Sequence, residues 1–136
     1  MKKHYFTFSL VCLLFLGCAT VSEPFKKTWG SSTKALEEAR PRAAVKNFGC
    51  GWKECFDKVL EVAKLRNLTV FISDPKKPLI VLMGIPGSIN TTEVGIFFSE
   101  PETGKAKLEI VSLSPTAQEA TAKLLSKELT KTFSEL

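Results

Sequence analysis

Cys50 and Cys55 are the residues of this 136-residue chain whose type and spacing most directly indicate chemistry. Two cysteines five positions apart in one continuous helix would have Cα atoms about 8–9 Å apart, beyond the ~7 Å limit for a disulfide. Gly49 and Gly51 give the backbone freedom to place Cys50 outside the helix that contains Cys55. The spacing therefore predicts a disulfide that fixes the start of a helix.

The same pair of cysteines has three other possible uses. Thiols at helix starts have lowered pKa values, which favours redox chemistry, but the spacing is C-x4-C and not the C-x2-C of redox motifs. A metal site is disfavoured, because two thiolates cannot fill a tetrahedral shell. The third alternative is that the two cysteines are unlinked thiols. We predict no metal and no cofactor.

General acid–base chemistry has few candidate residues in this chain. His4 is the only histidine, and histidine is the commonest general base. The carboxylate pairs Glu37/Glu38, Asp57/Glu61 and Glu100/Glu102 lie in polar stretches, whereas paired catalytic carboxyls need burial to separate their pKa values. We therefore expect solvated charges and no enzyme activity, with a Ser/Lys pair assembled by the fold as the remaining enzymatic alternative.

The first 18 residues have the order of a secretory signal peptide. Met1-Lys2-Lys3 gives a basic start, Tyr5–Leu16 is an apolar run, and Gly17 supplies a small residue before Cys18. The run has about a dozen residues, whereas a permanent transmembrane helix needs about 20. We predict that residues 1–17 are removed, and His4 with them.

The Leu16-Gly17-Cys18 end of this stretch resembles a bacterial lipobox, although Phe15 stands where that pattern usually has Leu. The resemblance implies that Cys18 receives a diacylglycerol and becomes the acylated first residue. It also implies, from Ala19 after the cysteine, the outer membrane in preference to the inner one. The alternative is an ordinary secretory peptide with Cys18 as a plain thiol. Secretion would place Cys50 and Cys55 in an oxidising compartment.

The predicted organisation has three parts: a signal peptide at 1–17, a lipidated N-terminus and flexible tether at 18–46, and one small domain at 47–136. Turn-forming and charged residues interrupt any apolar period in the tether, although Ala35–Arg40 has a helical pattern that Pro41 would stop. Removing Lys2 and Lys3 lowers the formal net charge from +5 to about +3. So mild a charge argues against a nucleic-acid partner.

The domain is predicted to be α+β, in the order α-β-β-β-β-α. Apolar residues recur at threes and fours over Trp52–Leu65, and Ser114-Pro115 opens a second apolar-striped helix that continues toward Leu136. Between them, four segments have strand patterns: Leu68–Ile72, Leu79–Met83, Val94–Ser99 and Ala106–Leu113. Ala43–Phe48 is a candidate edge strand. Short connections favour a mainly antiparallel sheet, in a two-layer sandwich with both helices on one face.

The helix–strand–turn–strand pattern is similar to that of many small bacterial envelope lipoproteins. The residues that carry the similarity are Trp52, Phe56, Val59-Leu60, Leu68-Thr69-Val70, Asp74 and Ile80-Val81. The resemblance implies an assembly factor or accessory subunit, and it assigns no site residues.

The connection Gly84–Thr92 is long for a hairpin and contains apolar Ile85, Pro86 and Ile89. A loop that shows apolar groups is a candidate partner-binding surface. The alternative is a wide loop folded back over the sheet edge. No Gly-Lys-Ser/Thr follows, so it is not a phosphate-binding loop.

These observations predict a lipid-anchored cell-envelope protein that faces the periplasm and binds a partner without catalysis. Its expected partners are the membrane, through lipid on Cys18, and an envelope protein. The alternative is a periplasmic carrier of a small apolar or lipidic ligand held between the helices and the sheet.

Overall fold

The computed structural model describes residues 32–136. The predicted signal peptide, Cys18 and the first part of the predicted tether lie outside these residues. Helix α1 covers residues 32–39, and a single 3-10 turn follows at Arg40–Arg42. The remaining elements are β1 (Ala44–Phe48), α2 (Trp52–Leu65), β2 (Thr69–Asp74), β3 (Leu79–Met83), β4 (Val94–Glu102), β5 (Lys105–Ser112) and α3 (Pro115–Leu129).

The five strands form one antiparallel sheet in the order β1-β5-β4-β3-β2. The α+β class and the antiparallel pairing are thus confirmed. The candidate edge strand is present as β1, which pairs with β5 from Ala44 opposite Ile110 to Phe48 opposite Ala106. Short turns join β2 to β3 and β4 to β5, whereas a longer loop joins β3 to β4, and all three connect antiparallel neighbours.

Strand β3 contributes to two separate apolar clusters, because successive side chains of a strand point to opposite faces. Ile80 and Leu82 belong to the larger cluster, while Leu79 and Val81 belong to the smaller one, and all four are buried. The larger cluster also contains residues of α2 and α3, among them Phe56, Val59, Leu125 and Leu129. The prediction that this strand is buried on both sides is confirmed.

Helix α1 takes part in the smaller cluster through Leu36 and Ala39. The side chain of Leu36 packs against β4 at Gly95. A Cβ built on that glycine would be 3.2 Å from Leu36 Cδ1. Arg40 follows, with its guanidinium carbon 4.5 Å from the centroid of the Phe97 ring. These contacts cover an apolar part of the sheet, and their burial stabilises α1 beyond its weak intrinsic tendency to form at this length.

The folded unit consequently begins earlier than residue 47. The compact unit that contains the sheet runs from Ala35 to Leu136, whereas the predicted lipidated N-terminus and flexible tether extends over residues 18–46. Residues 35–46 are helix, 3-10 turn and strand. The reason is tertiary, because Leu36 and Ala39 are the two apolar positions of α1 that the sheet buries.

Helix α2 has the predicted bounds, and α3 begins as predicted, with the Ser114 side chain accepting a hydrogen bond from Ala117 N. Helix α3 ends at Leu129, so the apolar stripe that was predicted to continue toward Leu136 is interrupted there. Thr130 Oγ1 donates to the Ser126 carbonyl, and Leu136 N donates to the Asn47 carbonyl. The last residues therefore return to the edge of β1.

Candidate functional site

Cys50 and Cys55 are joined by a disulfide, with their Cα atoms 6.2 Å apart. Cys50 lies before α2, which begins at Trp52, and Gly51 is extended with φ −65° and ψ 150°. The first turn is closed by a hydrogen bond from Cys55 N to the Gly51 carbonyl, 3.1 Å long. The predicted position of Cys50 outside the helix is confirmed, and the bond fixes the angle at which the chain enters α2.

The disulfide lies in the apolar core. Cys50 is 3% exposed and Cys55 is fully buried, and both belong to the larger cluster. Thiol–disulfide exchange requires a thiolate to reach one of the sulfurs, and this burial opposes it. The geometry therefore favours a structural role for the bond over the redox alternative.

Aromatic rings fill the space between α2 and the sheet next to this disulfide. The centroid of Phe56 lies 5.2 Å from that of Phe98 on β4 and 6.1 Å from that of Trp52, the latter pair edge to face. Such ring pairs add about 0.5–1.5 kcal/mol to the stabilisation from area burial. These side chains occupy the region in which a ligand carrier would hold its cargo.

The three apolar residues of the predicted contact loop, Ile85, Pro86 and Ile89, do not form one exposed group. Ile85 is 1% exposed and belongs to the core cluster that contains α2 and α3. Pro86 is exposed, and Ile89 is 76% exposed. Ile85 therefore attaches the loop to the core, and Pro86 and Ile89 are the residues that it presents.

Hydrogen bonds hold the loop in a defined conformation. Gly84 N donates to the Asn90 carbonyl and Thr92 N to the Ile89 carbonyl, while Ser88 donates to the Ile85 carbonyl from both its N–H and its hydroxyl. Gly84 has φ +76° and Gly87 has φ +84°, values that favour glycine. Ile89 is thus presented to solvent by an ordered loop.

Two carboxylates tie separate elements together through ion pairs. Partial burial raises the pKa of Glu109, but hydrogen bonds from Arg40 (2.6 Å) and Lys107 outweigh that effect and hold its pKa below the ordinary value. Hydrogen bonds from Arg66 and then Lys131 lower the pKa of Glu128. Both carboxylates are therefore ionised near neutral pH and connect the 3-10 turn to β5 and the end of α2 to α3.

The carboxylate pairs named in the sequence analysis lie on the surface. Asp57 pairs with Lys53 at 3.2 Å, and Glu102 pairs with Lys105 at 2.7 Å. Glu100 accepts a hydrogen bond from Gly104 N, which supports the β4–β5 turn where Gly104 has φ +76°. These groups act as turn and ion-pair partners.

Two further exposed apolar residues, Leu65 and Leu113, were not named as contact candidates by the sequence analysis. They are 68% and 66% exposed. Each one breaks a local pattern: Leu65 is outside the apolar period of α2, and Leu113 follows the last inward position of β5. Those breaks were the available sequence signal.

Between residues 32 and 136, no group of three or more His, Cys, Asp and Glu side chains is placed to hold a metal ion. None of the helices in this same range is both long enough and apolar enough to cross a membrane. No protein-family model, curated protein or solved structure was found to match the chain.

Proposed function

We propose that the protein is a lipid-anchored component of the bacterial cell envelope, attached through Cys18 and facing the periplasm, on the outer membrane in preference to the inner one. Its α+β domain acts as a non-enzymatic binding module of an assembly or accessory type. The observation that carries the proposal is the order of a basic start, an apolar run and Gly17-Cys18. This is the order of a signal peptide with a cysteine at its cleavage point.

The described domain supplies supporting features for a binding role. Its core contains a buried disulfide, and its ordered loop exposes Pro86 and Ile89 to solvent. Within the proposal, these two residues form the contact surface and Ile85 anchors it. A loop held by its own hydrogen bonds loses little conformational entropy on binding, which favours affinity.

The proposal includes a finer layering of the domain. We place α2 and α3 together on one face of the sheet, since residues of both helices share the larger cluster with Ile96 and Leu108. Helix α1 then lies over the opposite face, where Leu36 contacts the smaller cluster. Such an arrangement leaves the loop ends of the sheet for binding.

Membrane fractionation of two cysteine variants tests the anchor. Cys18→Ser removes the proposed lipid acceptor, and Cys12→Ser is the matched control in the same stretch. We expect the Cys12→Ser protein to remain with the membrane through carbonate and high-salt washes, as the wild type does. The Cys18→Ser protein should be unprocessed and should carry no label from added fatty acid. Equal fatty-acid labelling of both variants would refute the proposal.

A further inference from the structure

Exposed apolar side chains are concentrated at one end of the sheet. Large apolar residues with substantial exposure in the described part of the chain are Leu65 (68%), Ile89 (76%), Leu113 (66%), Leu136 (60%), Val45 (48%) and Val70 (40%). Single exposed apolar residues are normal on protein surfaces. Their distribution over the sheet is what requires an explanation.

The strand register and the chain connections place four of the six at the same end of the sheet. Val70 is opposite Leu82, Leu82 is opposite Val94, and Val94 is opposite Ser112. Leu113 follows Ser112 directly, and the loop with Ile89 runs from the end of β3 to the start of β4. Leu65 ends α2, where Leu68 N donates to the Ala63 carbonyl as the chain enters β2.

Neighbouring strands are about 4.8 Å apart, so β2 to β5 span roughly 15 Å at this point. We call this region, defined by Leu65, Val70, Ile89 and Leu113, the apolar end. Lys64 and Arg66 flank Leu65, and both are exposed, although the guanidinium of Arg66 is also paired with Glu128. Cations beside exposed leucine and isoleucine are the combination that binds the boundary between lipid headgroups and acyl chains.

The opposite end of the sheet has a different character. The β2–β3 turn presents Lys76 and Lys77, which are exposed, and Asp74 Oδ1 accepts hydrogen bonds from both of their backbone N–H groups. The β4–β5 hairpin ends in the Glu102–Lys105 ion pair. The two ends of the sheet are thus distinct in polarity.

The folded unit begins on the side of the apolar end. Leu36 contacts Gly95, the second residue of β4, and Arg40 reaches Glu109, which is opposite Phe97 two residues further along. From Leu36 to Arg40, α1 therefore advances from the apolar end toward the middle of the sheet. Ala35 lies on the side of the apolar end, and residues 18–31 can span at most ~50 Å between Cys18 and α1.

We propose that the apolar end is a membrane-contact surface, which seats Leu65, Ile89 and Leu113 in the headgroup region of the bilayer that holds the lipid on Cys18. This inference rests on the proposed function, and it names the lipid surface as the partner of the loop that carries Ile89. The chain's entry point and the exposed Lys64 beside Leu65 favour a lipid surface over a protein. The β4–β5 hairpin then points away from the membrane.

Depth-dependent quenching of a fluorophore tests the orientation. The protein is extracted from membranes and reconstituted into vesicles of phosphatidylethanolamine and phosphatidylglycerol with brominated acyl chains. An environment-sensitive nitrobenzoxadiazole label is placed on Ile89→Cys, and on Thr103→Cys in the hairpin as the matched control. Cys50 and Cys55 are bonded to each other, and the mass of the labelled protein verifies that one label is attached.

We expect bromolipids to reduce the emission at residue 89 by at least twofold and to leave the emission at residue 103 unchanged. Adding Leu65→Ser and Leu113→Ser should abolish the quenching at residue 89, whereas Leu136→Ser, an exposed leucine outside the apolar end, should leave it intact. Circular dichroism of each variant verifies folding. An unquenched label at residue 89, or equal quenching at both positions, would overturn the inference.

Two results distinguish a failure of the membrane-contact surface from a failure of the lipid anchor on Cys18. If the mass shows lipid on Cys18 but residue 89 is unquenched, the anchor stands and the membrane-contact surface is refuted. If no lipid is present, the label on an Ile89→Cys chain that also carries Cys18→Ser is tested with the same vesicles, and its quenching decides the inference without the anchor. Blue-shifted but unquenched emission at residue 89 would mean that protein and not lipid covers the loop, which also overturns it.

Discussion

The bond between Cys50 and Cys55 closes a loop of six residues at the start of α2. On the chain-entropy model, closing so short a loop stabilises the fold by about 2 kcal/mol. We expect reductant to lower the free energy of unfolding of the wild type by that amount in urea titrations. The double variant Cys50→Ala/Cys55→Ala should be insensitive to reductant, and a wild type equally insensitive would contradict the structural role of the bond.

The ionisation of Glu109 makes the free energy of unfolding depend on pH. Its folded-state pKa is lowered, so near pH 4 the folded chain binds fewer protons than the unfolded chain, and stability rises with pH. The contribution is complete above the unfolded pKa and is lost as pH falls through the folded value. We expect Glu109→Gln to flatten the dependence of unfolding free energy on pH between about 3 and 5.

Glu54→Gln is the control for this change, because Glu54 is an exposed carboxylate in the first turn of α2. It should lower the unfolding free energy at neutral pH by less than Glu109→Gln does, because it removes a carboxylate without removing an ion pair of the described structure. Arg40→Met should act in the same direction as Glu109→Gln, since Arg40 donates the 2.6 Å hydrogen bond. Identical pH profiles for the wild type and Glu109→Gln would show that this ion pair does not contribute.

At the scale of elements, the β3–β4 loop offers a matched pair of isoleucines. Ile85 is in the core and Ile89 is in solvent. Ile85→Ala should lower the unfolding free energy by about 2–4 kcal/mol, since it leaves a cavity. Ile89→Ala should change it by no more than about 0.5 kcal/mol. Equal effects in chemical denaturation would contradict the division of the loop into anchor and contact residues.

Helix α1 packs against β4 at Gly95. Gly95→Ala would place Cβ 3.2 Å from Leu36 Cδ1, so the Leu36 side chain has to shift by a few tenths of an ångström to accommodate it. The double variant Gly95→Ala/Leu36→Ala should be less destabilised than the sum of the single changes, because the clash is removed. Strict additivity in a double-mutant cycle would argue against α1 docking at this position.

The elements differed in how far local sequence determines them. The period of α2, the Ser114-Pro115 start of α3 and the apolar run of β3 are local patterns, and the sequence analysis predicted all three. The docking of α1 was missed because only Leu36 and Ala39 are buried in it and its partner is a glycine distant in sequence. The exposure of Ile89 beside buried Ile85 was not predictable either, since it depends on the loop's hydrogen bonds.

At the scale of the whole molecule, the important feature is the contrast between the apolar end and the charged hairpins. Leu65, Ile89 and Leu113 are separated in sequence by 24 residues each, and the antiparallel register brings them to one end. Local patterning cannot show this, because it follows from topology. In our proposal this end faces the membrane, and the loop that carries Ile89 contacts lipid.

Lipid on Cys18 is the basis of the proposed localisation and function, and the intact mass of membrane-extracted protein shows whether it is present. We predict a mass that lacks residues 1–17 and includes a diacylglycerol and an acyl chain. Reduction should add the mass of two hydrogens as the Cys50–Cys55 bond opens. A processed chain without added lipid, or a chain that retains residues 1–17, would contradict the anchor and the localisation that depends on it.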